Sequence, residues 1–227
     1  MAAALVHAGA HVAVTSRDLT RARAAAEEIG AHAVPVALDV RDPASVEAAV
    51  DEAYERLGGL DLLVNNAGIG MRTVNPGFMT EPQPFHAVSP EGFADVIDTK
   101  ITGCFLVARA VVPRMLDAGG GRVVTISMNE STMVRRGFAP YGPAGAGVEA
   151  LARVIAADLA GTPVRANILL PGGATATGMV PDGIPDDVAS NLLDPAIMGP
   201  PIVWLASREA AGVHDERIVA TEFGEEG

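Results

Sequence analysis

The sequence predicts a doubly wound α/β fold, in which helices cover both faces of a parallel β-sheet. Short runs rich in Val, Ile and Leu alternate with longer stretches whose apolar residues recur at helical spacing. The short runs are almost continuously apolar, which is typical of strands buried on both faces. With 227 residues, 49% hydrophobic and 19% charged, the chain is not disordered and can form one core, so residues 1–227 are expected to be a single domain.

The apolar runs predict six strands, and the helical spacing predicts the segments between them. The strands are expected at 11–15, 33–38, 60–64, 122–126, 164–170 and 217–220. The helices are expected at 18–29, 43–57, 90–117, 144–160 and 196–207. Asp18 can cap the first of these helices and Pro43 suits the first turn of the second, whereas Pro113 is expected to interrupt the third.

Charge and composition exclude several classes of partner. The 28 acidic residues outnumber the 16 basic ones and give a net charge of −12, which argues against nucleic acid and anionic membrane surfaces as partners. One cysteine, Cys104, excludes an internal disulfide framework, and five scattered histidines give no metal-ligand spacing. No apolar stretch is long enough to span a bilayer and no signal peptide is recognisable, so a cytoplasmic location is expected.

Small and polar residues follow the predicted strands, where a parallel sheet binds its ligands. They include Ser16-Arg17, Asp39-Val40, Asn65-Asn66-Ala67-Gly68, Ser127-Met128-Asn129 and Pro171-Gly172-Gly173. Because the carboxyl ends of parallel strands share one edge, these residues predict one continuous binding crevice.

Three of these features together resemble the short-chain dehydrogenase/reductase family. They are VNNAG after a strand, a tyrosine opening a helix some seventy residues later, and a PGG loop after the next strand. The resemblance covers nearly the whole chain and implies a Rossmann-like fold that binds NAD(P). It also implies hydride transfer between nicotinamide and a carbonyl or alcohol, using a Ser, a Tyr and a Lys, usually with an Asn.

The catalytic positions of the family carry over only in part. Tyr141 matches the tyrosine that exchanges a proton with the substrate oxygen. Gly145 stands where the family has the lysine that lowers the pKa of that tyrosine. The expected serine position holds Met128, so Ser127 or Asn129 is left to serve the substrate oxygen; an ordinary strand-end hydroxyl is an equal alternative for Ser127.

Lys100, the single lysine of the chain, falls where the family has its assisting asparagine. One interpretation is an ammonium on a long stem that reaches water. The other is that Lys100 enters the polar site and partly replaces the ammonium lost at Gly145.

The cofactor positions are better retained, and they favour NADP, with NAD as the alternative. Arg17 is placed to pair with a 2′-phosphate, and no acidic residue stands at Ser16 to bind a ribose 2′-hydroxyl. The resemblance assigns the other cofactor contacts to Asp39, Val40, Asn66, Ala67, Gly68, Pro171, Gly172, Ala174, Thr175 and Thr177.

The resemblance also implies that a first strand and a glycine-rich phosphate loop precede the helix in which this sequence opens. Without that strand, the expected sheet has an empty central position. Three hypotheses follow. The first is an NADP-dependent oxidoreductase whose start lies upstream of Met1, and the second is a truncated or decayed member that keeps the outline of the fold but not the catalysis. The third is a non-enzymatic subunit or regulator that uses the fold as an interaction surface. Self-association through helices 90–117 and 144–160 is expected under all three.

The two long loops, 71–88 and 178–195, are expected to form the substrate pocket. They carry large apolar residues, namely Met71, Phe78, Met79, Phe85, Met179 and Ile184. These side chains predict a small, mainly apolar carbonyl or alcohol as the substrate.

Overall fold

The computed structural model describes residues 1–181 and 184–224 and confirms the doubly wound α/β class. All strands pair in parallel and form two sheets, β1-β2 and β3-β4-β5-β6. The strands are β1 (Val12–Ser16), β2 (Ala33–Ala37), β3 (Leu62–Asn65), β4 (Gly121–Ile126), β5 (Val164–Leu170) and β6 (Arg217–Val219). Each lies within two residues of its predicted position, because its apolar run is local information.

Helices cover both faces of these sheets. They are α1 (Ala2–His7), α2 (Leu19–Ile29), α3 (Pro43–Leu57), α4 (Pro90–Ile97), α5 (Gly103–Asp117), α6 (Glu130–Met133), α7 (Tyr141–Asp158), α8 (Asp186–Ala189) and α9 (Gly199–Ala206). The predicted starts of α2 and α3 are confirmed. The Asp18 carboxylate accepts a hydrogen bond from the amide of Thr20 at 2.8 Å, and Pro43 is the first residue of α3.

The prediction that Pro113 interrupts the third helix is wrong. Pro113 lies inside α5, which continues to Asp117. The lost backbone hydrogen bond is tolerated because Val111 and Met115, on either side, are fully buried. The irregularity comes earlier, where a π-helical turn at Asp98–Thr102 joins α4 to α5.

Two other helix boundaries differ from the prediction. Helix α7 begins at Tyr141, three residues before the predicted start, and α9 is preceded by a 3₁₀ turn at Pro195–Met198. The early start of α7 requires Gly142, because a Cβ there would lie 2.2 Å from the carbonyl oxygen of Met133.

The core lies on both faces of the four-stranded sheet. Along β4, Val123 packs with α3, α5 and α7, whereas Val124 packs with α1 and α9 on the opposite face. Both valines are almost completely buried. A sheet buried on both faces explains why its strands are nearly continuously apolar.

Two sheet edges face each other inside the molecule. Strand β1 pairs with β2 on one side and β3 pairs with β4 on one side. A cavity of about 660 Å³ separates the free edges of β1 and β3. In the part of the chain that the structure describes, no helix is both long and apolar enough to cross a membrane.

Candidate active site

The candidate site is built at the carboxyl ends of the parallel strands. Helix α7 presents Tyr141 at its first position, beside the loop that follows β4. The Tyr141 hydroxyl lies 4.0 Å from the sulfur of Met179. Burial raises the pKa of Tyr141 above its usual value. The phenol therefore carries its proton at neutral pH.

Met128 occupies the space beside Gly145, where the resemblance expected a lysine. A Cβ on Gly145 would lie 2.5 Å from the methyl carbon of Met128 and 2.7 Å from its sulfur. Both residues are buried. The glycine in the second turn of α7 therefore has a packing reason, and the two departures from the family pattern, at 128 and 145, contact each other.

The hydroxyl of Ser127 is hydrogen-bonded to helix α7, away from Tyr141. Its hydroxyl donates to Glu149 of α7 at 2.5 Å, and Glu149 also accepts from Nε of Arg217 at 2.8 Å. Arg217 in turn donates to the carbonyl oxygen of Met128 at 3.1 Å. Eight residues separate Tyr141 from Glu149, which is about 12 Å along a helix axis. The Ser127 proton is thus held by a network that ties β4, α7 and β6 together.

Lys100 lies in the π-helical turn and is 8% exposed. Its ammonium donates to the carbonyl oxygen of Ile126, the last residue of β4, at 3.0 Å. Burial lowers the pKa of Lys100 to about 8, and the nearby Cys104, one helical turn further on, partly offsets that decrease. Burial also raises the pKa of Cys104 to about 11. A Cβ on Gly68 would lie 3.8 Å from the ammonium. Lys100 is thus a buried cation next to the NNAG turn, in a type of helix turn that is frequent at functional sites.

Asp39 and Arg17 lie at the ends of the two-stranded sheet. Arg41 donates to both carboxylate oxygens of Asp39, at 2.8 and 3.0 Å, and to Asp95 at 3.1 Å. These bonds, aided by the charge of Arg17, lower the pKa of Asp39 to about 2. The side chain of Arg17 is exposed, whereas Val40, which follows Asp39, is buried.

The remaining predicted cofactor positions fall on two loops. Asn66 and Ala67 are exposed just beyond β3, and Gly68 is half-buried against Lys100. After β5, Gly172 has φ +92° and packs against Thr221, while its carbonyl oxygen accepts from the amide of Asn129 at 2.8 Å. The same loop also carries the other four predicted cofactor positions, namely Pro171, Ala174, Thr175 and Thr177.

A family model described as short chain dehydrogenase matches residues 1–186. The chain belongs to the short-chain dehydrogenase family. It is 36% identical to "Inactive 2-(S)-hydroxypropyl-CoM dehydrogenase 2" of Xanthobacter autotrophicus over 79% of this chain and 74% of that protein. It is 30% identical to the 3-oxoacyl-[acyl-carrier-protein] reductase of Escherichia coli over 76% of this chain. That match spans 66% of the reductase, slightly under two thirds of its length.

Solved structures of this short-chain dehydrogenase family superpose closely. A 3-ketoacyl-(acyl-carrier-protein) reductase from Brucella melitensis, complexed with NADH, has a TM-score of 0.83 at 27% identity. The superposition covers 96% of this chain and 89% of the reductase. A gluconate 5-dehydrogenase from Burkholderia cenocepacia, in complex with NADP and tartrate, has a TM-score of 0.80 at 28% identity. It covers 96% of this chain and 86% of that one.

The structure groups the predicted residues of this family member into separate sets. Tyr141 stands next to apolar side chains, and Phe138 links it to Phe78 through edge contacts with ring centres 6.4 and 5.5 Å apart. Lys100 instead contacts the end of β4, and Ser127 contacts Glu149.

Sequence reasoning missed the side chains that hold these residues. Glu149, Arg217 and Arg41 were not singled out, although each is a charged residue in or beside an apolar segment. A buried charge needs a hydrogen-bonding or oppositely charged partner, so these charged residues could have indicated a buried polar network. They could not have indicated which residues form it.

Of the apolar residues expected in the substrate pocket, Met71 is a core residue, 2% exposed, whereas Phe85 is 77% exposed. Met179 contacts Tyr141. Ile184 is half-buried, and residues 182 and 183 of that segment lie outside the described residues.

Proposed function

We propose that this short-chain dehydrogenase transfers hydride between NADP(H) and a small apolar carbonyl or alcohol, with Tyr141 exchanging the proton. The observation that carries the proposal is the position of Tyr141, a protonated phenol at the start of α7 beside the strand ends. The E. coli relative named as a reductase supports the reaction type. The structures with NADH and NADP support the class of cofactor.

The residues at the strand ends fit the adenosine half of a nicotinamide dinucleotide. Arg17 presents an exposed guanidinium, which pairs well with a phosphate and favours NADP. Asn66 and Ala67 are accessible beyond the end of β3, and Asp39 and Val40 follow the end of β2. Pro171, Gly172, Ala174, Thr175 and Thr177 supply the loop for the other half. When bound, the nicotinamide supplies or accepts the hydride.

Tyr141 is suited to donating a proton more than to removing one. Because burial raises its pKa, the neutral phenol predominates over a wide pH range. A carbonyl substrate accepts this proton as its oxygen gains charge. Alcohol oxidation needs the phenolate, so it should accelerate as the pH rises toward the pKa of Tyr141. The neighbouring Phe138, Phe78 and Met179 side chains favour an apolar substrate.

Lys100 is proposed to supply positive charge to the same reaction. Its buried ammonium lies between the end of β4 and Gly68, where it can orient the polar groups of the site. Replacing it in Lys100→Met should abolish the reductase activity, measured as oxidation of NADPH. A rate equal to that of the unaltered protein would show that Lys100 takes no part.

One observation favours a second candidate function, that of a catalytically impaired subunit acting through its surface. Met128 fills the space beside Gly145, and neither residue is the serine or lysine of the family. The Xanthobacter relative also carries "Inactive" in its name. Exposed apolar side chains on the long helices, Phe93, Phe105 and Val154, fit the proposed homo-oligomer contact. Sedimentation of the protein and of Phe105→Glu tests that contact.

Nucleotide titration separates the two candidates. NADPH and NADH are titrated against the protein and against Arg17→Ala by fluorescence, and turnover is measured with a panel of apolar ketones and aldehydes. Loss of the Arg17 charge-assisted bond should weaken NADPH by roughly tenfold and leave NADH unchanged. Turnover supports the oxidoreductase. Binding without turnover supports the impaired subunit, and absence of binding contradicts the cofactor assignment.

A further inference from the structure

The guanidinium of Arg41 bridges two carboxylates at the end of β2. Its Nε and Nη2 atoms donate to the two carboxylate oxygens of Asp39, at 3.0 and 2.8 Å, and its Nη1 atom donates to Asp95 of α4 at 3.1 Å. A bidentate pair of this kind has a fixed, planar geometry. Each of the three guanidinium nitrogens of Arg41 therefore already has a carboxylate partner.

Arg17 leaves the neighbouring strand beside this cluster. Strands β1 and β2 pair in parallel with Ser16 opposite Ala37, and the amide of Leu38 donates to the carbonyl oxygen of Ser16 at 2.9 Å. Arg17 and Asp39 therefore follow adjacent strands at the same edge of the sheet. In the parts of the chain that the structure describes, Arg17 is exposed and forms no ion pair.

The carboxylate of Asp39 attracts Arg17 across this edge. The pKa of Asp39 is lowered to about 2, most strongly by the hydrogen bond from the Arg41 side chain and more weakly by the charge of Arg17. Asp39 is therefore ionised at neutral pH, and Arg17 lies within its field. Without Arg41, this carboxylate would draw the Arg17 guanidinium toward itself and would repel a phosphate placed nearby.

We propose that Arg41 is a specificity-determining residue that keeps Arg17 available for the 2′-phosphate of NADP. This inference rests on the proposed function, which places that phosphate at Arg17. Arg41 acts through Asp39 and not by contact with the phosphate, because its own nitrogens are bound to carboxylates. It is therefore a positioning residue, and Asp95 helps to hold its guanidinium in place.

Two adenosine nucleotides that differ by one phosphate isolate this effect. They are adenosine 2′,5′-bisphosphate and adenosine 5′-monophosphate, and neither carries a nicotinamide, so no turnover is involved. Calorimetric titration gives the Kd of each nucleotide for the unaltered protein and its variants. The ratio of the two Kd values measures the contribution of the 2′-phosphate, and the unaltered protein should bind the bisphosphate more tightly.

Removal of the Arg41 charge should act on the 2′-phosphate alone. Arg41→Ala should weaken the bisphosphate about tenfold and the monophosphate by less than about twofold, and the difference should shrink as salt is added. Arg41→Gln also lacks the charge but keeps a hydrogen-bonding side chain, and it should lose as much as Arg41→Ala. This second variant keeps the test independent of the folding of the first.

A double variant distinguishes action through Asp39 from direct contact. Adding Asp39→Asn to Arg41→Ala removes the carboxylate that attracts Arg17, so the Kd ratio should return to that of the unaltered protein. The control is Arg114→Ala, which removes an arginine from the ion pair with Asp51 and should leave both Kd values unchanged.

The outcomes that contradict this inference differ from those that contradict the proposed function. An unchanged Kd ratio in Arg41→Ala would overturn the inference and leave the cofactor assignment intact. A ratio that stays altered in the double variant would also overturn it, because Arg41 would then contact the phosphate itself. Equal binding of both nucleotides by the unaltered protein would contradict the NADP preference together with the inference. Absence of binding of either nucleotide would contradict the cofactor assignment as well.

Discussion

Met128 and Gly145 act as a pair, and their coupling is measurable. In Gly145→Ala the new methyl group meets Met128, so overpacking of about 1–3 kcal/mol should outweigh the gain in helix propensity. With Met128→Ala already in place, the same change should stabilise the protein by about 1 kcal/mol. Urea unfolding of the four proteins gives the coupling energy.

Gly147→Ala is the matched control for this pair. Its methyl group would meet Ile101 instead of Met128, so its effect should not depend on Met128→Ala. If Gly145→Ala has the same effect in both backgrounds, the contact does not explain the glycine.

Lys100 should give stability an unusual dependence on alkaline pH. Its pKa falls from 10.5 to about 8 in the folded protein, so between these values the unfolded state binds more protons. The free energy of unfolding then rises with pH. Cys104 acts in the opposite sense, because its pKa rises from 9.0 to about 11 and stability falls across that range.

Together the two groups predict a free energy of unfolding that increases from pH 8 to pH 9 and levels off above. Lys100→Met should lack the increase and should be more stable at pH 7, by up to about 3 kcal/mol. Urea unfolding at several pH values measures both effects. An increase of the same size in Lys100→Met would mean that another group causes it.

At the scale of elements, the Ser127–Glu149–Arg217 network joins β4, α7 and β6. The side chains of Arg217 and Glu149 are only 23% and 16% exposed. Glu149→Ala would leave the Arg217 charge half-buried and unpaired, and should reduce the free energy of unfolding by about 2–3 kcal/mol. The control is Asp51→Ala, which breaks the ion pair with Arg114, where the side chains are 68% and 39% exposed. That change should cost less than about 1 kcal/mol, and equal losses would contradict the role of the network.

The elements themselves were largely predictable, because strands, caps and helical stripes depend on neighbouring residues. Asp18 and Pro43 marked two helix starts correctly. The long-range contacts were not predictable. Ser127 and Glu149 are 22 residues apart, Glu149 and Arg217 are 68 apart, and the choice of partner depends on the packing of three elements. The π-helical turn at Asp98–Thr102 depends in the same way on the contacts of α5 and α7 around it.

The same division applies to the candidate site. The loops were predictable, since strand ends in a parallel sheet share an edge. The orientation of Ser127 toward Glu149 was not, because one strand-end residue can face either side and only the surrounding packing decides. The sequence also could not show that Met128 fills the space beside Gly145, because that requires knowing that residues 128 and 145 are in contact.

At the scale of the whole molecule, the two sheets should differ in local stability. Strands β4 and β5 lie inside a four-stranded sheet, and Val124 and Leu169 are fully buried. Strand β1 has one partner and borders the cavity, with half-buried or exposed residues along its length. Segments with fewer buried contacts open at lower free energy than the global unfolding.

Hydrogen exchange followed by mass spectrometry tests this difference. Amides of β1 and β2 should exchange through local opening, faster than those of β4 and β5, which should require global unfolding. Equal exchange in β1 and β4 would mean that the molecule opens as one unit, with the two-stranded sheet no weaker than the four-stranded one.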